Sequence, residues 1–231
     1  MLRGFVRWSR GPRCTQAWYG CQKATVVVVN TPIPTGDEYE NTQPYDGRGW
    51  CIAERRMASL VKDSRILIDL SKLSGFETHV DRLMHNGRAG RPAPMVPDAF
   101  RSMLEIGAED SSIKFTNRDD VPLVARIYER AFLDEMGKVE ALFYPELGWG
   151  DEDVAALAQA LRFAHDKGSL ANLEEINLYY NEVGDAGMTA LSEAIDKGSL
   201  AALQLVSLDG NPGNAQPVKA ACDARGITCY T

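Results

Sequence analysis

The feature that most constrains the fold of this chain is a segment that recurs at a spacing of 30 residues. Residues 173–181 and 203–211 share the pattern L-x-x-[IV]-x-L-x-x-N, and the string Asp-Lys-Gly-Ser-Leu-Ala begins at both Asp166 and Asp196. A period of this length is typical of structural units that stack on one another, because one unit cannot bury its own apolar face. The pattern positions are Leu173, Ile176, Leu178 and Asn181 in one copy and Leu203, Val206, Leu208 and Asn211 in the next.

An earlier and less regular copy precedes these two. Residues 150–157 align with residues 184–191 at a spacing of 34, which places four additional residues in the helix, near 162–165. Leu147 stands where the other copies have asparagine. The strand of this copy is predicted at Val139, Leu142 and Tyr144. The sequence thus predicts about three units over residues 139–231, the last of them a terminal cap.

Each part of the pattern has a physical reason. Alternating apolar side chains turn one side of a short strand toward the core. An asparagine side chain can bond backbone groups that are left unpaired where the chain leaves the strand, which no apolar side chain can do. Asp151 and Asp185 stand where they could cap the helices that follow.

These residues resemble the leucine-rich repeats of the ribonuclease-inhibitor-like class, which also occur in NOD-like receptors. The resemblance implies a short solenoid with parallel strands and outer helices, and it implies a protein-interaction or scaffold role for the repeat surface. Trp149, Tyr179 and Tyr180 lie near the predicted strand ends. They are interpreted either as exposed aromatic anchors for a partner or as side chains packed between neighbouring repeats.

The distribution of charge bears on the kind of partner. The chain has a net charge of -7, which argues against general nucleic-acid binding, because that requires basic surface to neutralise phosphates. Residues 139–231 carry 14 acidic and 5 basic residues, whereas residues 1–36 carry five basic residues and no acidic one. An acidic repeat surface favours basic protein partners and speeds their encounter.

Residues 1–138 are predicted to form a separate α/β domain with a mostly parallel sheet. The run Ala-Thr-Val-Val-Val-Val-Asn at 24–30 indicates a strand that is covered on both faces. A helix over 51–62 and a strand over 65–70 follow, an order that favours an α/β fold.

The rest of this domain is predicted as loops and helices. Residues 85–97 form an exposed loop, and Asp98 caps a short helix over 99–104. Residues 114–116 are predicted as an edge strand. Asp119 or Asp120 is expected to cap a longer helix that ends near Met136.

The segment Arg-Gly-Trp-Cys-Ile-Ala-Glu at 48–54 is the strongest candidate for chemistry. It is similar to the S-x-W-C-x-x-E segment of TIR domains, with Trp50, Cys51 and Glu54 matching. In enzymatic members of that family the glutamate is the catalytic residue for NAD cleavage, so the resemblance implies a catalytic Glu54. Trp50 and Arg48 of the same segment are candidate binding residues. The match covers about 25 residues, and the usual first strand has no counterpart.

Two other interpretations of this segment compete with the TIR-like one. Together with residues 18–19, 25–29 and 45, it resembles a module of unknown activity in repeat proteins of unicellular marine algae, which begins further upstream. Alternatively, Glu54 with Arg55 or Arg56 is a solvated helix face, and Trp50 anchors its loop to the core. The sequence favours this non-catalytic interpretation, so protein binding through the repeats is the main hypothesis and TIR-like NAD hydrolysis the alternative.

No cofactor or metal is predicted. The sequence contains no phosphate-binding glycine motif and no zinc-ligand spacing of Cys and His. Arg88, Arg91 and Arg101 are interpreted as solvated loop charge. His79 and His85 are interpreted as surface residues.

Localisation is predicted from cysteine usage and from apolar runs. Five cysteines without paired spacing favour reduced thiols and a cytoplasmic protein. The apolar run at 24–29 is too short to cross a bilayer, so no membrane partner is expected. The Arg-rich, acid-free residues 1–14 have the composition of an organelle transit peptide, with a ragged start to the first domain as the alternative.

Overall fold

The computed structural model describes residues 19, 24–30, 43–117, 119–196 and 200–231. Over these residues the chain is mixed α/β, with seven helices and two parallel sheets. The predicted loop at 31–42 and the basic segment at 1–14 lie outside the described residues. The helices are α1 (Gly49–Ser59), α2 (Val80–Asn86), α3 (Pro97–Glu109), α4 (Asp120–Met136), α5 (Asp151–Asp166), α6 (Asp185–Asp196) and α7 (Gln216–Arg225). The strands are β1 (Val26–Val28), β2 (Leu67–Asp69), β3 (Ala141–Phe143), β4 (Glu175–Asn177), β5 (Leu205–Ser207) and β6 (Thr228–Tyr230).

The valine run forms β1, which pairs in parallel with β2. Val28 is buried, but Val27 is 49% exposed and Val29 58% exposed. The expectation of a strand covered on both faces is therefore wrong. The other edge of β2 bonds to the backbone of residues 87–89, where the amide of Ala89 donates to the carbonyl of Leu67 at 2.8 Å.

Other elements of this part differ from their predicted form. The loop predicted at 85–97 begins inside α2, and Arg91 within it is buried. Helix α3 starts at Pro97 and continues five residues past the predicted end at 104; its N-cap is Val96 and not Asp98. The predicted edge strand at 114–116 is reduced to a single bridge between Lys114 and Arg48.

The strands of the other sheet lie side by side in the order β3-β4-β5-β6, all parallel. We call β3 with α5, β4 with α6, and β5 with α7 the first, second and third strand–helix units. Their strands bury Leu142, Ile176 and Val206 at matching register positions. Helix α5 has 16 residues and α6 has 12, so the four additional residues lie in the helix, as the spacing predicts. Strand β6, after the third unit, was not predicted.

The core is continuous across the predicted domain boundary at residue 138. One cluster of buried apolar side chains extends from Ala53 in α1 through α4 to Ile227 before β6. The hydroxyl of Tyr144, after β3, donates to the carbonyl of Leu60, after α1, at 2.6 Å. Among the described residues, no helix has the length and apolar character needed to cross a membrane.

Candidate functional site

The β3–β6 sheet has a face opposite the buried Leu142, Ile176 and Val206, which we call the strand-side surface, and exposed aromatic side chains lie on it. Phe143, Asn177, Ser207 and Tyr230 share one register position across the four strands. Phe143 and Tyr230 are exposed at the two ends of that row. Tyr179 and Tyr180, directly after β4, extend the surface and are 38% and 58% exposed. Large apolar side chains that stay exposed in this arrangement are a feature of binding surfaces.

The two tyrosines are held in place by the turn that follows β4. Their rings lie 4.4 Å apart, and the amide of Tyr180 donates to the carbonyl of Asp209 at 2.8 Å. Tyr180 has a positive φ of 50°. Its ring packs over Gly210, where a Cβ atom would lie 2.7 Å from the ring. The orientation of Tyr180 therefore depends on the glycine in the next unit.

Two carboxylates lie close enough to Tyr179 to act on it. The pKa of Tyr179 is raised, first by desolvation and then by Tyr180, Asp209 and Glu146. Glu175 occupies the strand-side surface in the row that includes Leu205 and Ala141. This surface thus combines aromatic rings with negative charge.

The asparagines of the sequence pattern act between units. Asn181 donates to the carbonyls of Tyr144 at 2.7 Å and Leu178 at 3.0 Å, and its Oδ1 accepts from the amides of Leu147 and Trp149. Its side chain is buried. All four groups are backbone atoms in or beside a turn, where strand pairing ends and a side chain can supply the hydrogen bond.

Asn211 repeats the arrangement one unit later. It donates to the carbonyls of Leu178 at 2.9 Å and Leu208 at 2.7 Å, and it accepts from the amide of Val183 at 3.1 Å. Leu178 and Val183 stand in the second unit where Tyr144 and Trp149 stand in the first. Each asparagine therefore closes its own turn and the turn of the unit before it. The remaining pattern residues, Leu173, Ile176, Leu203, Val206 and Leu208, are buried.

The aspartates that were expected to cap their own helices bond to the next unit instead. Asp151 Oδ1 accepts from the amides of Gly184 at 2.7 Å and Gly187 at 2.9 Å, at the start of α6. Asp185 accepts from the amide of Asn214 at 2.8 Å, just before α7. The prediction that each aspartate caps its own helix is wrong, because the carboxylates accept hydrogen bonds from amides at or just before the start of the next helix.

Trp149 belongs to the interior and not to the strand-side surface. It is buried, its ring stacks on Tyr144 at 4.5 Å, and its Nε1 donates to the carbonyl of Arg91 at 2.8 Å. The guanidinium of Arg91 lies 4.2 Å from the centre of the Tyr144 ring. Of the two interpretations of the aromatic residues, packing describes Trp149 and exposure describes Tyr179, while Tyr180 is exposed and also contacts Gly210 of the third unit.

Glu54 lies on the side of α1 that faces Tyr19 and Tyr45. Burial raises the pKa of the Glu54 carboxyl, and a hydrogen bond from the Tyr19 hydroxyl acts in the opposite direction. Burial also raises the pKa of the Tyr19 and Tyr45 hydroxyls and of the Cys51 thiol, with Glu54 adding to each. The four groups form a half-buried cluster around one carboxyl.

The residues that the TIR-like motif groups with Glu54 have separate partners. Trp50 Nε1 donates to the Asp120 carboxylate at 3.0 Å, which ties α1 to the start of α4. Arg48 Nε donates to the carbonyl of Gln43 at 2.8 Å. Trp50, Arg48 and Glu54 thus share no hydrogen-bond partner, although Arg48 and Glu54 both interact electrostatically with Cys51.

The side of α1 that carries Arg55 and Arg56 borders a cavity of about 490 Å³. Arg91, interpreted from the sequence as solvated loop charge, is buried in its wall. One signal in the sequence was available for Arg56, which follows Ile52 by four residues and so shares its helix face. Burial of Arg91 had no such signal, because its contacts come from residues far away in the chain.

The described residues contain no group of three or more His, Cys, Asp or Glu side chains that could hold a metal ion. No protein-family model, curated protein or solved structure matches this chain.

Proposed function

We propose that residues 139–231 are a short leucine-rich-repeat array of the ribonuclease-inhibitor-like type, and that its strand-side surface binds a basic protein partner. The observation that carries the proposal is the exposed pair Tyr179 and Tyr180, with the carboxylates of Asp209 and Glu146 close enough to act on Tyr179. The repeat assignment is supported by the parallel strand order, the 30-residue spacing and the asparagine bonds between units.

The chemistry of this surface favours a protein over a small ligand. Tyrosine supplies a large contact area at a low cost in side-chain entropy, and it is among the residues that dominate interface energetics. The carboxylates would add charge complementarity to lysine or arginine side chains of the partner. Because the array is short, we expect it to contact one compact epitope and not to wrap around the partner.

The test compares capture of partners by paired variants of the full chain. Wild-type protein is immobilised and exposed to a lysate of the source cells, and retained proteins are identified by mass spectrometry. The variant carries Tyr179→Ser and Tyr180→Ser; the matched control carries Phe76→Ser and Val80→Ser, two exposed apolar residues far along the chain from the strand-side surface.

We expect a basic protein that is retained by the wild type and by the control, is lost from the tyrosine variant, and is released as salt rises. Retention that is equal for all three proteins would contradict binding through the strand-side surface.

TIR-like hydrolysis through Glu54 is the competing assignment, and a separate measurement decides it. The raised pKa of Glu54 is compatible with acid–base chemistry, but Trp50 and Arg48 bond to Asp120 and to Gln43 and not to Glu54. Purified protein is incubated with NAD and assayed for nicotinamide, with Glu54→Ala as the control. We expect equal background from both; release by the wild type above the variant would favour the enzyme.

A further inference from the structure

The cavity beside α1 has the properties of a ligand site that is separate from the strand-side surface. Its walls come from α1, from the segment around Arg91, from α3 and from the turn after β3. Its volume of about 490 Å³ lies within the range of small-molecule pockets. Apolar side chains on several walls, among them Ile52, Met103, Ile113 and Leu147, suit an apolar ligand body.

The charged residues of the lining are unbalanced in sign. Arg55, Arg56 and Arg91 contribute three positive charges, and Asp46 is the one carboxylate among the described lining residues. Guanidinium groups stay protonated in proteins, so this positive charge cannot be removed by titration. In a chain of net charge -7, a positive recess concentrates anions that the remaining surface repels.

Arg91 supplies a fixed charge from inside the wall. Its Nε and Nη2 both donate to the carbonyl of Ser59, at 3.3 and 2.9 Å, and its Nη1 donates to the carbonyl of Phe143 at 2.6 Å. These hydrogen-bond acceptors are neutral; the carboxylate of Asp63 interacts with Arg91 electrostatically, but no salt bridge of Arg91 is found among the described residues. A buried guanidinium with neutral partners is stabilised by an anion nearby.

Arg55 and Arg56 are the residues that could touch such an anion. Arg56 Nη1 donates to the carbonyl of Ala93 at 3.0 Å. Arg55 Nη1 pairs at 2.8 Å with Asp46, which is exposed, and Arg55 Nε is buried without a hydrogen-bond partner in the structure. A buried donor without an acceptor is costly, and an anion entering the cavity could accept from it.

We propose that this cavity binds a small organic anion whose carboxylate or phosphate group is held by Arg55 and Arg56 while its apolar body packs against Ile52, Met103 and Ile113. Guanidinium groups match both kinds of anion through paired hydrogen bonds. Asp46 occupies Arg55 in the absence of ligand, so it competes with the anion for the same guanidinium.

The experiment measures binding of four probes to the full chain by titration calorimetry. Phenyl phosphate and benzoate combine an anion with an apolar ring, inorganic phosphate has the charge alone, and benzyl alcohol has the ring alone. We expect saturable binding of phenyl phosphate or benzoate, and weaker binding of inorganic phosphate and benzyl alcohol. The relative affinities of the first two distinguish a phosphate site from a carboxylate site.

Three variants assign that binding to the cavity. Arg55→Gln should weaken it at least about tenfold, since charge-assisted bonds to the anion are lost. The matched control is Arg88→Gln: both arginine side chains are 23% exposed and both pair with an exposed carboxylate, but Arg88 does not line the cavity. It should change affinity less than about twofold. Asp46→Asn should strengthen binding, because it removes the competing carboxylate while leaving Arg55 in place.

The proposal is overturned if neither aromatic anion binds, if Arg55→Gln and Arg88→Gln weaken binding equally, or if benzyl alcohol binds as well as the anions. A folding defect could explain weaker binding by the Arg55 variant, but it could not explain a gain of affinity in Asp46→Asn. An unchanged or weaker affinity in Asp46→Asn would contradict the proposed role of Arg55.

Discussion

The first strand–helix unit and the two that follow it bury equivalent strand positions, yet their turns are completed by different partners. In the second and third units, Asn181 and Asn211 bond the backbone of their own turn and of the preceding one. The first unit has Leu147 at that position. An asparagine there would have no earlier unit to reach, so the irregular copy is explained by its place at the start of the series.

The first unit has no unit before it, and the N-terminal part of the chain makes the contacts on that side. Arg88 Nη2 donates to the carbonyl of Pro145 at 3.0 Å, and Arg91 Nη1 donates to the carbonyl of Phe143. Tyr144 and Trp149 replace the apolar Leu178 and Val183 of the second unit and return hydrogen bonds to the N-terminal part. The first unit therefore joins two kinds of packing, and the exposed tyrosine pair occurs in the second unit, which packs between two other units.

The largest expected effect comes from giving the second unit the side chain of the first. Asn181→Leu leaves the carbonyl of Tyr144 and the amides of Leu147 and Trp149 without their side-chain partner in the interior. We expect the free energy of unfolding to fall by about 3 kcal/mol or more, measured by urea denaturation. Asn172→Leu, at an exposed asparagine with one bond to Gly137, is the control and should cost less than about 1 kcal/mol. Equal losses would contradict the special role of Asn181.

A smaller effect is expected where the first unit contacts the N-terminal part. Tyr144→Phe removes the hydroxyl that donates to the carbonyl of Leu60 and should lower the free energy of unfolding by about 1–2 kcal/mol. Tyr128→Phe is the comparison, because that buried hydroxyl donates to Met95 at 2.7 Å within the N-terminal part. Hydrogen exchange separates the two. Only the Tyr144 variant should speed exchange in β3, and unchanged exchange there would argue against the joining role of the first unit.

The same contrast separates what the sequence predicts from what it misses. Aligning the repeated segments with one another predicted the strand positions, the role of the asparagines and the greater length of α5, because equivalent positions can be compared from one segment to the next. Burial of Arg91 and Trp149 depends on contacts between distant segments, at separations of 32 to 58 residues, and these contacts occur once and leave no period in the sequence. Asp151 was placed correctly at a helix start, but its partner lies in the next unit, which local capping rules do not include.

The residue types of the motif at 48–54 suggested a catalytic site, but they did not indicate which way each side chain is oriented in the fold. Cys51 and Glu54 lie beside Tyr19 and Tyr45, whereas Arg56 lines the cavity; Arg55 lines the cavity and also interacts electrostatically with Tyr45. Neighbouring residues of one helix thus have different surroundings, which the residue types of the motif do not indicate. Exposure of Val27 and Val29 was missed for a similar reason, because a run of β-branched residues predicts a strand but does not determine how many layers cover it.

A pH effect is expected from the N-terminal part. The pKa of Glu54 is raised in the folded state above its ordinary value of 4.5, chiefly by burial. The folded protein therefore holds its proton more tightly than the unfolded chain, and stability falls as pH rises from 4.5 through the folded pKa. Glu54→Gln removes this dependence, so its free energy of unfolding should rise relative to the wild type between pH 4.5 and neutrality. Urea denaturation at several pH values measures it, and a constant difference would contradict burial of the carboxyl.

The smallest expected effect on stability concerns Tyr180, and it bears directly on function. Glu146, Tyr180 and Gly210 occupy equivalent turn positions in the three units, and all have positive φ, at 54°, 50° and 79°. A non-glycine residue in this conformation costs about 1 kcal/mol, so the tyrosine is a poor choice for stability alone.

We expect Tyr180→Gly to change the free energy of unfolding by less than about 0.5 kcal/mol, because relief of backbone strain offsets the lost packing on Gly210. Tyr180→Ala keeps the strain and loses the packing, so it should be less stable than the glycine variant by about 1 kcal/mol. If partner capture is lost in both variants while stability is nearly kept in the glycine one, the tyrosine serves binding. A large loss of stability in Tyr180→Gly would instead assign the ring to packing between units, and the strand-side surface would lose its strongest anchor.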